Sequence, residues 1–192
     1  MLAFIKEYAP CIPDDLFLTV AVLPNPGERM LDVGLVWPSP PQHGGQVLRP
    51  LRTFLEPLQD TISIRDYLQE QQTGTDGPAD GHYASCRRGG HLEDLTSETI
   101  AAIVEHASDS ASEASGITMI YWHGPWCSIS QDNAFGFRRT RYEYWIHSYW
   151  QAARERAKAL AWVQKFFAAM VPFSTGAIYV NDLENEGEAR PG

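Results

Sequence analysis

The sequence predicts an α+β fold: an antiparallel β-sheet with helices packed on one face. Three observations carry this. Strand-like runs outnumber helical ones, several consecutive strands lack a helical crossover between them, and only two long stripes recur at helical period.

The chain opens with a lead-in over residues 1–15, apolar at Phe4-Ile5 and broken by Pro10 and Pro13. Leu16 to Leu23 is rich in β-branched residues and stops at Pro24-Asn-Pro-Gly27, a strand followed by a turn. Met30 to Trp37 is a second strand, ended by Pro38, Pro40 and Pro41. The two read as a hairpin with a turn of several residues. From Val47 to Phe54 the spacing of Leu48, Leu51 and Leu55 is helical, with Pro50 near the first turn. Thr61 to Gln72 begins extended and becomes a short helix through Tyr67-Leu68; Thr73 to Asp80 is a polar loop.

A clearer helix opens at Ser97-Glu98, with Asp94 or Thr96 as its cap. Leu95, Ile100, Ile103, Val104 and Ala107 form its stripe. Ile117 to Trp122 is a strand ended at Gly124-Pro125, and Arg141 to Trp150 is another. In the latter, Tyr142, Tyr144, Ile146 and Trp150 alternate with Glu143, Trp145, His147 and Tyr149. Gln151 to Val171 is the longest helix, with Leu160, Val163, Phe167 and Met170 on one face, and Pro172 ends it. Gly176 to Asn181 is a final strand, and residues 184–192 form an acidic tail. The whole, 1–192, reads as a single domain.

Composition narrows the function. The chain has 192 residues, with a formal net charge of −9. That balance repels phosphate backbones and anionic membrane surfaces. No run approaches the roughly 20 apolar residues of a membrane span, and the first residues lack the basic start of a signal peptide. Cys11, Cys86 and Cys127 are too scattered for a disulfide framework or a CxxC pair. A cytoplasmic setting is the default expectation. The histidines His43, His82, His91, His106, His123 and His147 form no compact pair at metal-ligand spacing. There is no Gly-rich nucleotide loop and no GxSxG elbow. The outlying feature is aromatic content, with 6 Trp, 8 Tyr and 8 Phe. Such a set suits a core or a flat ligand.

The second half adds a pattern. Ala134-Phe-Gly-Phe-Arg138 precedes the aromatic strand ending at Trp150. After the long helix come Pro172, then Gly176, Tyr179 and Asn181, and the acidic Glu184-Asn-Glu-Gly187. In order and spacing this resembles the substrate-binding half of the berberine bridge enzyme-like FAD-linked oxidoreductases. That family reads A-F-x-H-R before the aromatic strand and P-x-x-x-G-x-Y-x-N after the helix. The resemblance implies an antiparallel sheet whose helix-free face covers the isoalloxazine ring of FAD and shapes a pocket for an alcohol, sugar or polycyclic substrate. It also implies that the flavin is held mainly by a separate FAD-binding domain or subunit. Nothing in this sequence resembles that domain or the family's closing segment. The chain is thus expected to be a fragment, catalytically silent unless completed, and prone to self-associate through the uncovered sheet face. The alternative is a non-catalytic α+β module binding an aromatic small molecule or a protein partner on its Trp/Tyr face.

Site residues follow from both readings. The resemblance puts Tyr179 and Asn181 near the flavin and assigns Arg138 to the position of the family's Arg. Phe137 stands where the family has His, and Asp182 stands where some members have a Tyr base. The family's small Gly-Gly-Ala stretch is replaced by His123-Gly124-Pro125-Trp126-Cys127. Trp122, Trp126 and Trp145 offer flat pocket walls, together with Arg138 and His147 as polar contacts. His123, at a strand end, and Asp182 are the candidates for moving a proton.

Overall fold

A computed structural model describes residues 1–25, 28–72, 83–112, 114–128 and 140–178. The 134–138 motif, and with it Arg138 and Phe137, lies outside these residues. So do Tyr179, Asn181, Asp182 and the acidic tail.

Among the described residues, five strands form one sheet in the order β2-β1-β4-β5-β3, with every neighbouring pair antiparallel. They are β1 (Phe17–Asn25), β2 (Glu28–Val36), β3 (Ala84–Leu92), β4 (Ser115–Tyr121) and β5 (Tyr142–Trp150). The helices are α1 (Leu2–Tyr8), α2 (Gly44–Phe54), α3 (Tyr67–Gln72), α4 (Ser97–Ala107), α5 (Pro125–Ser128) and α6 (Arg156–Met170). The α+β class and the antiparallel sheet are as the sequence predicts. No helix among the described residues is long and apolar enough to cross a membrane.

β5 pairs with β3 along its whole length and with β4 from Tyr142 to Ser148. Its alternation divides the sheet. Tyr142, Tyr144, Ile146, Ser148 and Trp150 are all buried and share a face with Leu18, Val20, Val22, Ile117, Met119 and Tyr121 of the flanking strands. α6 lies across β5 and β3 on this side, and α4 packs between α6 and the strands β1 and β4. Phe166 and Met170 of α6 and Ile103 of α4 are fully buried there. Each such side chain gains about 1.5–3 kcal/mol from leaving water. Trp162 of α6 ties the two helices by donating from its indole N–H to the His106 carbonyl at 3.1 Å. The polar pair in this layer is internally satisfied: the Ser115 and Ser148 hydroxyls lie 2.7 Å apart.

Several local expectations are corrected. The lead-in is helical: α1 buries Leu2, Ile5 and Tyr8, spaced three apart on one side. The strand β3 has no counterpart in the sequence pattern, since Arg87-Arg88-Gly89-Gly90 carries no hydrophobic alternation; pairing with β5 supplies what its composition lacks. The β1–β2 ladder extends to Asn25↔Glu28, so the hairpin turn is shorter than expected. α2 starts at Gly44, which leaves Pro50 inside the helix rather than in its first turn. α4 is capped as expected, the Thr96 hydroxyl accepting from the Thr99 N–H at 3.2 Å. Its inner stripe, however, is Thr99, Ile103 and Ala107, and Val104 is 51% exposed. In α6 the buried set is Ala159, Trp162, Val163, Phe166 and Met170, so Leu160 and Phe167 sit at the margin. Of the last strand expected at Gly176 to Asn181, the described residues 176–178 are not in a strand; after α6 the described residues show only the bridge Leu92↔Ser174.

The two faces of α4 give a direct test. Ile103→Ala should destabilise the chain by about 2–5 kcal/mol in urea unfolding, whereas Val104→Ala should stay within about 0.5 kcal/mol.

Candidate functional site

The face of the sheet turned away from α4 and α6 holds the alternate residues of β5: Glu143, Trp145, His147 and Tyr149. Register places Arg87 and Gly116 beside His147, Gly89 and Thr118 beside Trp145, and His91 and Ile120 beside Glu143. Trp145 and His147 are therefore held one pleat apart on a central strand, which is rigid support for ligand contacts.

Both large rings lie opposite glycines. A Cβ on Gly89 would come within 2.7 Å of the Tyr144 carbonyl oxygen and 3.4 Å of Trp145 Cβ. A Cβ on Gly116 would lie 2.8 Å from the Val22 carbonyl oxygen and 3.4 Å from His147 Nε2. The His147 ring therefore leans over the bare backbone of Gly116. On the β3 side, the Arg87 guanidinium sits 5.7 Å from the Trp145 ring centroid, a cation–π contact.

Burial, and secondarily the Arg87 charge, pushes the His147 pKa down to about 4, against a weaker backbone contribution from Trp145 that raises it. Its Nδ1 is buried without a well-formed hydrogen bond among the described residues. The imidazole is thus held neutral at physiological pH, with Nδ1 shielded inside the sheet face.

At the end of this face where β4 stops, Trp122 donates its indole N–H to Glu143 Oε2 at 3.0 Å. Trp122 also stacks on Trp126 of α5 with centroids 4.1 Å apart and planes 17° apart. Phe17 meets Trp122 edge-on. Glu143 and its cross-strand neighbour His91 are both buried, and His91 Nδ1 lies 3.1 Å from the Thr140 hydroxyl. These two carry polar chemistry that the sequence reading did not single out. Strand alternation already set Glu143 beside Trp145 and His147, whereas His91 and Arg87 lay on the strand that went unrecognised.

The structure thus brings Trp122, Trp126, Trp145 and His147 to one face. It does not bring His123 there. That ring turns to the helix side, stacks on Tyr121 at 5.1 Å and bonds through Nε2 to the Pro13 carbonyl at 2.9 Å. This is the face that strand alternation gives a residue two positions after Tyr121. The chain then turns at Gly124, whose φ of +58° suits a residue without Cβ and whose neighbour Pro125 opens α5. A side chain at Gly124 would press within 2.8 Å of the Asp14 carbonyl oxygen.

The pH dependence of His147 has a definite sign. Between about pH 6.5 and about pH 4 the unfolded chain binds more protons at this position than the folded chain. The corresponding stability is complete above pH 6.5 and is lost as pH falls toward 4. In an NMR titration the His147 ring should keep neutral-form shifts at pH 5, and a midpoint near 6.5 would contradict the burial.

No family model and no curated protein sequence matches the chain. Solved structures do match. A berberine bridge enzyme variant superposes with a TM-score of 0.78 at 16% identity over 96% of this chain and 40% of its own. BBE-like 28 from Arabidopsis thaliana gives 0.71 at 15% identity, over 96% of this chain and 42% of its own. A glycopeptide hexose oxidase complexed with teicoplanin gives 0.73 at 19% identity, over 96% and 41%. The chain spans about two-fifths of the length of these proteins. In fold, the chain is similar to one part of these proteins.

Proposed function

We propose that this chain is the substrate-binding portion of an FAD-dependent oxidoreductase of the oxidase type, and that the sheet face carrying Trp145 and His147 covers the isoalloxazine ring and walls the substrate pocket. The observation that carries this reading is the central strand β5, with its core-forming face turned to the helices and a set of aromatic and polar side chains on the other.

The residues present fit a flat heteroaromatic ring. Trp145 offers a broad apolar surface, and the glycines beside it and beside His147 keep the relief low. When bound, the flavin supplies the hydride-accepting chemistry. The chain's own residues orient and exclude water. Trp122 and Trp126 close one end of the face, Glu143 anchors Trp122, and Arg87 braces Trp145. His147, neutral at physiological pH, would hydrogen-bond a ring heteroatom or a substrate hydroxyl without adding charge. Tyr179, Asn181 and Arg138 belong to the same proposal through the sequence resemblance, as does Asp182 as a proton acceptor. Tight FAD binding and turnover require a flavin-binding domain or subunit in addition to this chain.

A titration with lumiflavin, which carries the ring system without the nucleotide, tests this. Tryptophan fluorescence should be quenched with an apparent Kd on the order of 1 mM, and Trp145→Ala should weaken the effect about fivefold or more. Quenching that is indifferent to Trp145→Ala would remove the assignment of this face. Equal quenching by simple fused hydrocarbons would favour the general aromatic-binding module instead.

A further inference from the structure

On the helix side of the sheet, at the end where β4 stops and β5 begins, lies a second cleft of about 450 Å³. That is within the usual range for small-molecule sites. We propose that it binds a small neutral polyhydroxylated molecule of the monosaccharide or cyclitol class. This inference is independent of the flavin reading.

The cleft is lined by Tyr121, Tyr142 and His123, and its rim includes Arg141 and the Lys6–Asp94 ion pair, 2.7 Å apart. Burial raises the pKa of both phenols above the ordinary value, so both remain neutral O–H groups. Neither hydroxyl meets a hydrogen-bond partner among the described residues, while their rings are packed together at 5.1 Å. His123 adds the complementary function. The Pro13 carbonyl can only accept, so Nε2 carries a proton, and Nδ1 is the ring's remaining polar atom. Arg141 makes no ion pair among the described residues and offers further donors.

Charge selects the class. Carboxylates at the lining (Glu7, Asp14 and Asp94) outnumber the cations Lys6 and Arg141, so an anionic ligand is disfavoured. Donors and acceptors interleaved with aromatic ring faces suit hydroxyl groups, each of which donates and accepts, on a carbon skeleton whose C–H face packs on Tyr or His.

The test is a two-dimensional NMR titration of the chain with glucose, galactose, mannose and myo-inositol, beside gluconate as the anionic counterpart. At least one neutral compound should shift the signals of Tyr121, His123 and Tyr142 with millimolar saturation. Tyr142→Phe retains the buried ring and removes only the hydroxyl, so it should fold and weaken binding roughly three- to tenfold. His123→Ala should weaken it similarly, and Val104→Ala, on the exposed side of α4, should not. No saturable shift at about 100 mM of any neutral compound would overturn the proposal. So would preference for gluconate, or unchanged binding in both Tyr142→Phe and His123→Ala.

Discussion

Everything on this molecule is arranged by the double pairing of β5. Hydrogen-bonded to β3 on one side and β4 on the other, it cannot slip by one residue without sending Tyr144 and Ile146 into solvent and Trp145 and His147 into the helix layer. Burial of its core-facing residues against α4 and α6 therefore fixes the register. The same register then fixes which aromatic and polar groups stand together on the opposite face. Folding energy and site geometry are set by one strand.

From that constraint the two candidate sites separate cleanly. The Trp145–His147 face draws its shape from cross-strand glycines, which let rings lie against backbone where a side chain would collide. Its polar groups are buried rather than displayed: Glu143 under Trp122, His147 over Gly116. The cleft of His123, Tyr121 and Tyr142 belongs to the helix side and lies where β4 ends and the chain turns at Gly124. His123 and His147, alike in the sequence as lone histidines near strand ends, are separated by the thickness of a sheet.

The strands with strong alternation were legible, and so were α4, its Thr96 cap and the two faces of β5. What escaped was structure that depends on partners. β3 has two arginines and two glycines at its centre, so only its pairing with β5 makes it a strand. α1 is too short for a helical stripe to stand out, although Leu2, Ile5 and Tyr8 are all buried. Val104 and Ile103 are equivalent as apolar letters, and only the position of α6 decides which faces inward. In the site, Trp122, Trp126, Trp145 and His147 were readable as aromatic and polar residues near strands. The sense of His123 was readable too, since alternation puts it two residues after Tyr121 on the same face and opposite Trp122.

The most direct measurement of this account is a side-chain-resolved NMR map of lumiflavin binding to the chain. The expected result is that shifts concentrate on Trp145, His147 and Arg87 and leave Tyr121, His123 and Tyr142 unmoved. Shifts centred on the helix-side cleft, or none on β5, would contradict the assignment of the two faces.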